Sequence, residues 1–443
     1  MNFLVILLTI LSLAVLFYAI FKPKIGAALY LIYMFLAPYL YLGGFILYAR
    51  TIAVFFLVLF LLKFKQVLKK EDYKPFIPYV IFLLFQFILL FSSSIFLNSL
   101  NSWFTGLSSL FFLLFLYGNM KVNSKNIYLY SKILFGISCV FTIYGLLLTL
   151  TPGLNPYQIL VQPLFGQEFN EAYAAGNSGL SDSTELADGR LFGRISSLFS
   201  HPMIYGLNLG YFFIYSLFFL RKRPKILIIV LFFIIVAIVT SGVRTPMAAL
   251  SITYFAMLLY MRNFRFFLYS ILMIGIFIFL ISVIYPESVE YISSIFNSDS
   301  SNVSGSSFAM RHEQLKGCFE IVKYDILTGK GYGWTTWYNS LHGTHPKALW
   351  FESLFYVILV NTGIMGFIIW GIFIYKYYKY IRKTFPDLYS RAIMLSLLLY
   401  YIVYCSITGD LGMNYFLLYF IVLLELMCLR SSEHNININY NRP

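Results

Sequence analysis

The sequence predicts an all-α, polytopic integral membrane protein that forms a single transmembrane domain over residues 1–443. Of its 443 residues, 60% are hydrophobic, 20% are aromatic and only 11% are charged, whereas a soluble domain carries about 25% charged residues. Apolar runs of about 17–25 residues, the length that crosses a bilayer as a helix, recur along nearly the whole chain. The basic residues lie in clusters between these runs, as they do in the cytoplasmic loops of membrane proteins.

The alternation of basic clusters predicts thirteen spans, with the N-terminus outside and the C-terminus in the cytoplasm. Twelve spans with a broken second helix are the alternative, because Pro38, Gly43, Gly44 and Arg50 interrupt the region 26–64. The first run has neither a basic leader nor a small-residue cleavage site, so we expect a retained helix instead of a signal peptide. The predicted spans are roughly 2–21, 26–48, 51–64, 76–97, 102–118, 128–150, 201–220, 226–240, 245–261, 266–285, 348–375, 392–408 and 411–429.

The net charge of +14 does not indicate a nucleic-acid partner. It comes from the loop clusters, and the chain has no basic helix with interleaved stacking aromatics. The four cysteines have neither metal-ligand spacing nor the outer-loop positions of a disulfide framework, so we interpret them as small apolar residues. They are Cys139, Cys318, Cys405 and Cys428.

Two segments, 151–200 and 286–347, are too long to be connecting turns, and both fall on the side opposite the basic clusters. They are predicted to be large extracytoplasmic loops. The helix interiors hold almost no ionisable residues apart from Glu425, near the cytoplasmic end. Since such residues mark ion and substrate pathways, a proton-coupled transporter is disfavoured and any chemistry belongs to the outer face.

Two arginines of the outer face lie close to predicted helix starts. Arg194 precedes His201–Pro202, and Arg244 lies in the tight turn "TSGVRTP". A guanidinium binds phosphate oxygens in bidentate fashion, and a helix N-terminus adds backbone donors for the same anion. The alternative is that each arginine only anchors its helix at lipid headgroups.

The second loop predicts a surface helix within 308–334. Leu315, Phe319, Val322 and Ile326 recur at helical spacing, which predicts an amphipathic helix that lies with this apolar face on the membrane. Its polar and aromatic residues of interest are Arg311 and His312 at its start and Tyr332 in the flexible turn "GKGYGW" (329–334).

Glu352 is predicted to lie about one turn inside the span 348–375, where a charged group needs a purpose or a partner. A structural ion pair with one of the arginines is the alternative to a catalytic role. His342 and His345 precede this span and could join His201 at a metal. We disfavour that site because no His-x-x-x-His or acidic ligand cluster supports it.

These features, in this order, resemble the O-antigen polymerase and O-antigen ligase family of bacterial membrane glycosyltransferases, over roughly residues 190–370. The family has a loop arginine ahead of a (His/Asn)-Pro helix start, a small-residue turn with arginine, and an arginine that opens a surface helix ending in Gly-x-Gly. Its last motif is a helix start, commonly His-Asn, followed by an apolar run into "GxxG". In this sequence "SGVRT" has Val243 in place of the usual serine, and Glu352–Ser353 occupies the His-Asn position ahead of "GIMG" (363–366).

The resemblance implies an architecture similar to GT-C glycosyltransferases and an enzyme that needs no metal or cofactor. The histidine of ligase-like members is thought to be the catalytic base, so a glutamate looks more like the polymerase branch. Glu352 would then be the base, and Arg194, Arg244 and Arg311 would bind pyrophosphate. His201, His312, Tyr332 and His345 are the other candidates for the substrate pocket.

The implied reaction joins undecaprenyl-pyrophosphate-linked oligosaccharides, as donor and acceptor, on the outer face of the bacterial cytoplasmic membrane, with inversion at the anomeric carbon. Membrane lipids, a chain-length regulator and a flippase of the same pathway are the expected partners. Two other functions stay open. A ligase would differ only in its acceptor, and a flippase should carry cationic residues within its central helices.

Overall fold

The computed structural model describes the chain as an assembly of α-helices. Its described residues are 3–36, 49–66, 68–123, 125–151, 155–161, 195–199, 201–265, 268, 308–385, 387–409 and 420–428. Within these ranges there is no β-strand, and the one isolated β-bridge joins His345 to Leu349. The predicted all-α fold class is confirmed.

Fourteen α-helices follow one another along the described residues up to 409. The first seven are α1 (Phe3–Phe21), α2 (Pro23–Leu36), α3 (Ala49–Lys63), α4 (Ile77–Leu90), α5 (Phe96–Val122), α6 (Lys125–Thr149) and α7 (Pro156–Val161). The next seven are α8 (Pro202–Phe219), α9 (Pro224–Thr240), α10 (Arg244–Tyr260), α11 (Phe308–Ile321), α12 (Trp334–His342), α13 (Leu354–Thr384) and α14 (Leu388–Thr408). Residues 420–428 are also helical.

Five of the described helices are long and apolar enough to cross a membrane: Phe96–Val122, Lys125–Leu148, Pro202–Phe219, Leu354–Thr384 and Leu388–Thr408. The protein is a multi-pass membrane protein. Its helices begin and end within a few residues of most predicted spans. The predicted span 266–285 and most of 411–429 lie outside the described residues, so the total of twelve or thirteen spans stays a prediction.

Buried tyrosines tie the spans together. The hydroxyls of Tyr400 and Tyr389 on α14 donate to the backbone oxygens of Gly206 (3.0 Å) and Leu217 (2.7 Å) on α8. A buried hydroxyl without a partner is costly, and lipid offers none, so each tyrosine needs a carbonyl within reach. The contacts pair a higher residue number on α8 with a lower residue number on α14, which shows that these two helices run antiparallel.

Helix α13 is kinked at Gly363, whose φ of 61° and ψ of −160° are non-helical. Backbone groups freed there bond to the segment 326–331. Lys330 N donates to Val360 O at 2.8 Å, and Ile364 N donates to Ile326 O at 3.0 Å. The part of α13 after the kink is long enough, at about 1.5 Å a residue, to cross the roughly 30 Å hydrocarbon core without the first part.

The surface helix of the second loop differs from the prediction. Helix α11 ends at Ile321, so Ile326 lies beyond it, and Phe319 is 47% exposed. The buried side of α11 carries Gln314 and Cys318 and packs on α13 with Val322. The four predicted residues do not form one face of one helix, because the start of α13 packs beside α11 and buries Val322 but not Phe319. Contact of α11 with the membrane stays a prediction.

Candidate functional site where helices α8, α10 and α14 meet

Three helix ends meet at one end of the bundle. A Cβ atom on Gly206, near the start of α8, would come within 2.8 Å of Pro246 Cγ at the start of α10 and 3.2 Å of the Tyr404 hydroxyl near the end of α14. Only glycine allows this approach. We call this region, together with residues 343–353, the Glu352 end of the bundle.

His201 caps the start of α8. Its Nδ1 accepts a hydrogen bond from Met203 N at 3.1 Å, and Pro202 occupies the first helical turn, where its missing N–H costs nothing. Because Nδ1 is an acceptor here, the neutral ring carries its proton on Nε2. His201 would therefore have to give up its cap to act as a base or as a metal ligand.

Two of the predicted phosphate-binding arginines belong to neighbouring segments. Ile195 N donates to Ser241 O at 3.2 Å, which joins the residues directly after Arg194 to the turn that holds Arg244. Arg244 is half-buried and is the first residue of α10, near donors of the helix N-terminus. Arg194 itself lies outside the described residues, so the distance between the guanidinium groups stays a prediction.

Arg311 holds Glu352 at the same end. Its Nη2 lies 3.2 Å from Glu352 Oε2, its Nη1 donates to the Glu352 backbone oxygen, and Nη2 also donates to Ile407 O at 2.8 Å. The Tyr356 hydroxyl donates to Arg311 O at 2.8 Å and fixes the arginine from the other side. One guanidinium thereby joins α11, the residue ahead of α13 and the last turn of α14.

Glu352 is held by one oxygen and open at the other. Its side chain is 30% exposed and that of Arg311 is 23% exposed. Among the described residues, Oε1 has no hydrogen-bond partner, whereas Oε2 is fixed by Arg311. Burial lowers the pKa of the Arg311 guanidinium and Glu352 opposes that shift, but arginine keeps its proton in proteins. The arrangement therefore presents a carboxylate that is fixed through Oε2 and open at Oε1, beside a permanent cation.

The prediction that Glu352 lies one turn inside a helix is wrong. Helix α13 begins at Leu354 with Ser353 as its cap, whose Oγ accepts from Phe355 N at 3.3 Å. Leu349 and Phe351 take φ angles of 52° and 54°, a conformation that costs non-glycine residues of order 1–3 kcal/mol. Such turns aim Glu352 toward α11 and α14 instead of along its own helix.

The remaining candidates lie on α11, in the turn ahead of α12 and in the loop ahead of α13. His312 is exposed on α11, and Tyr332 is half-buried in the turn ahead of α12. His345 Nδ1 accepts from Lys347 N at 3.2 Å and Ala348 N at 3.1 Å. Burial and the charge of Lys347 lower the pKa of His345, so its ring is neutral at pH 7 with the proton on Nε2. The described residues contain no group of three ligands for a metal ion.

The end of α14 also belongs to this region, and no residue type in the sequence predicts it. The Ile407 carbonyl that accepts from Arg311 carries no side-chain signal. The backbone of Gly409, directly after α14, lies close to the loop ahead of α13, since a Cβ atom on Gly409 would be 3.0 Å from Phe351 O. Only the glycine just after an apolar run, a common helix terminator, could have marked this contact.

Residues 209–371 match the sequence pattern of the O-antigen ligase family. The resemblance to O-antigen ligases and polymerases is confirmed over these residues, which include Arg244, Arg311 and Glu352 but neither Arg194 nor His201. O-antigen ligases are glycosyltransferase-like enzymes whose substrates are lipid-linked polysaccharides. A comparison with curated proteins gives no match.

Proposed function

We propose that this protein is a bacterial cell-surface polysaccharide polymerase. It joins undecaprenyl-pyrophosphate-linked repeat units of an O-antigen, capsule or exopolysaccharide on the outer face of the cytoplasmic membrane. The observation that carries this proposal is the fixed carboxylate of Glu352, with one oxygen held by Arg311 and the other open. Glu352 precedes "GIMG" within the residues that match the O-antigen ligase family.

Glu352 is the proposed general base. The hydroxyl of the terminal sugar of one lipid-linked unit attacks the anomeric carbon of a second, and its proton passes to Glu352 Oε1. The bond from that carbon to the pyrophosphate oxygen breaks, and undecaprenyl pyrophosphate leaves with the electron pair. Attack opposite the leaving group inverts the anomeric centre. General base catalysis contributes about 10²–10⁴-fold in rate.

Arg194, Arg244 and Arg311 are the proposed partners of the pyrophosphate. Arg311 already bonds to Glu352 and Ile407, so we assign it two tasks: it positions the base, and its remaining N–H groups face the leaving group. Arg244 adds its charge at the start of α10. Charge stabilisation of a leaving group is usually the largest catalytic contribution in such sites, and three cations supply it without a divalent metal.

An O-antigen ligase is the second candidate, favoured by the family that the domain matches. It would use the same donor and the same base but move the finished glycan to another lipid or to a protein. The glutamate in place of the family's histidine favours the polymerase. A flippase is third, and it would need cations along a path through the central helices.

The experiment is Glu352→Gln in cells that make the lipid-linked repeat unit. This variant keeps the shape of the side chain and removes its basicity, so it is expected to insert, to bind the lipid-linked donor and to leave single repeat units on the lipid. Electrophoresis of the glycans and mass spectrometry of the lipids give the readout. Long polymer at near wild-type rate would move the base elsewhere.

The matched control is Glu425→Gln, which changes the same atoms at the far end of α13. It is expected to elongate the glycan as the wild type does. In Glu352→Gln, polymer of normal length that stays on the lipid and is not transferred to a final acceptor would identify a ligase instead. Loss of both insertion and donor binding in Glu352→Gln would leave Glu352 as a structural partner of Arg311.

A further inference from the structure

Helix α12 carries an unusual line of rings on one face. Trp334, Trp337, Tyr338 and His342 recur at helical spacing, and we call them the aromatic stripe. Trp334 stacks on Tyr338 with ring centroids 5.0 Å apart, Tyr338 lies 4.9 Å from the His342 ring, and Trp337 lies 6.4 Å from it. An apolar face of this kind is normally buried, yet its rings are only partly covered and His342 is exposed.

The stripe is continuous with the Glu352 end of the bundle. Phe351, the residue directly before Glu352, has its ring 6.3 Å from that of Trp334 and 5.9 Å from that of His345. His345 in turn lies 5.0 Å from Tyr338. The stripe therefore adjoins the loop that carries Glu352.

Two neutral polar side chains, His345 and Asn339, lie beside the stripe. His345 holds its ring in place through Nδ1 and turns an Nε2–H donor outward. Asn339, between Tyr338 and Ser340 on α12, has a buried Oδ1 with no hydrogen-bond partner among the described residues. Aromatic faces with neutral donors and acceptors suit a neutral, hydroxyl-rich ligand and do not suit a phosphate.

We propose that the aromatic stripe, with His345 and Asn339, is a saccharide-binding subsite that holds the acceptor glycan. The C–H bonds on one face of a sugar ring carry partial positive charge and pack against the negative face of an aromatic ring. The neighbouring hydroxyls then bond to the amide and the imidazole. This inference rests on the proposed function, because it assigns the glycan to the acceptor that Glu352 activates.

Trp350 separates this proposal from a membrane-interface role. It is 51% exposed on the same loop, two residues before Glu352, and it makes no ring contact among the described residues. If the tryptophans of this face only sat at the lipid headgroups, Trp337 and Trp350 would be equivalent. If the stripe binds a glycan, only Trp337 matters.

The test measures glycan binding by the full-length protein in lipid nanodiscs. The probe is the oligosaccharide that mild acid releases from the cell's lipid-linked repeat units. A fluorescent label at its reducing end leaves the acceptor end unmodified, and polarisation gives Kd. Trp337→Leu and Tyr338→Leu are expected to raise Kd about fivefold to tenfold, the effect of losing one ring contact. Tyr338→Phe, which keeps the ring, and Trp350→Leu are expected to bind as the wild type does.

An unchanged Kd in both leucine variants of the stripe would overturn the proposal, as would an equal rise in Trp350→Leu or no binding by the wild type. Elongation assays on the same samples separate this proposal from the proposed function. Binding that depends on Trp337 in a protein that never elongates the glycan would keep the subsite and refute the polymerase. Elongation by a protein whose Kd is unchanged in the stripe variants would keep the polymerase and refute the subsite.

Discussion

A glutamate lies beside each end of helix α13, and the environments of the two carboxylates differ in exposure and in partner. Glu352, ahead of the first turn, is 30% exposed and is paired with a cation. Glu425, on the helical segment 420–428, is 1% exposed and accepts one hydrogen bond, from the Tyr380 hydroxyl near the far end of α13 at 2.7 Å. Its other oxygen is buried without a partner among the described residues.

The difference separates a group that can meet a substrate from one that holds helices together. A ligand can reach Glu352 Oε1, and Arg311 keeps the carboxylate oriented while the ligand binds. Glu425 has no such opening, and the nearby Lys121 is paired with Asp72 at 2.8 Å. Substitutions at the two ends should therefore separate loss of activity from loss of stability.

Arg311→Met should have the largest effect on activity. It removes the bonds to Glu352 and Ile407 and leaves the carboxylate without its cation, so the base loses its position as well as its electrostatic partner. A base that is misplaced by an ångström can cost about a hundredfold in rate, and we expect elongation to fall by at least that factor. Initial rates of polymer formation by purified protein in nanodiscs check this expectation.

Lys316→Met is the matched control on the same helix. It also removes one cation and one ion pair, with Glu313 at 2.8 Å, but at an exposed position where such pairs contribute about 0–1 kcal/mol. Equal rates in the two variants would show that Arg311 has no part in the reaction. The double variant Arg311→Met/Glu352→Gln should be slower than Glu352→Gln alone, because the second task of Arg311 at the pyrophosphate is also lost, but by less than the product of the two single effects, because the positioning of the base is counted in both.

Gly363→Ala should destabilise the protein at the kink between the two ends. Its φ of 61° belongs to a region that is essentially restricted to glycine, which costs other residues about 1–3 kcal/mol. The new Cβ would also lie 2.5 Å from the Leu327 backbone carbon. We expect a lower midpoint of thermal unfolding in detergent and a lower rate of elongation, because the segment 326–331 loses its place ahead of α12.

Gly371→Ala provides the comparison within the same helix. A Cβ there meets no atom within 4 Å, and alanine favours a helix interior over glycine by about 1 kcal/mol. This variant should be as stable as the wild type or slightly more so. Similar unfolding midpoints for Gly363→Ala and Gly371→Ala would contradict the assigned role of the kink.

Tyr380→Phe should have the smallest effect, and on stability alone. It removes the only described donor to Glu425 and leaves a buried carboxylate unsatisfied, which costs about 1–3 kcal/mol. Thermal unfolding should occur at lower temperature while the rate of elongation per folded molecule stays unchanged. A fall in that rate without a change in unfolding would place Glu425 in the reaction and remove the contrast between the two ends.

Much of the candidate site could be predicted from residue types. Arg244 could be placed at a helix start from the turn "TSGVRTP". An ion pair between Glu352 and one of the arginines could be expected because a charge that the membrane disfavours needs a partner. The exposed face of α11 could not be predicted. Leu315, Phe319 and Ile326 share a helical spacing with Val322, but which face is buried depended on α13 as a neighbour, and periodicity does not identify neighbours.

The sequence by itself determined that the protein is helical and membrane-spanning, because hydrophobicity is a sum over residues and a bilayer accepts only chains that satisfy their own backbone bonds. It also located the helix start at His201–Pro202, since capping is local. Only the tertiary structure decided that Arg311 would bond to both Glu352 and Ile407, and that the rings of α12 would adjoin Phe351. Those contacts join residues far apart in the chain through backbone carbonyls and glycine-permitted close approaches, which no side-chain pattern encodes.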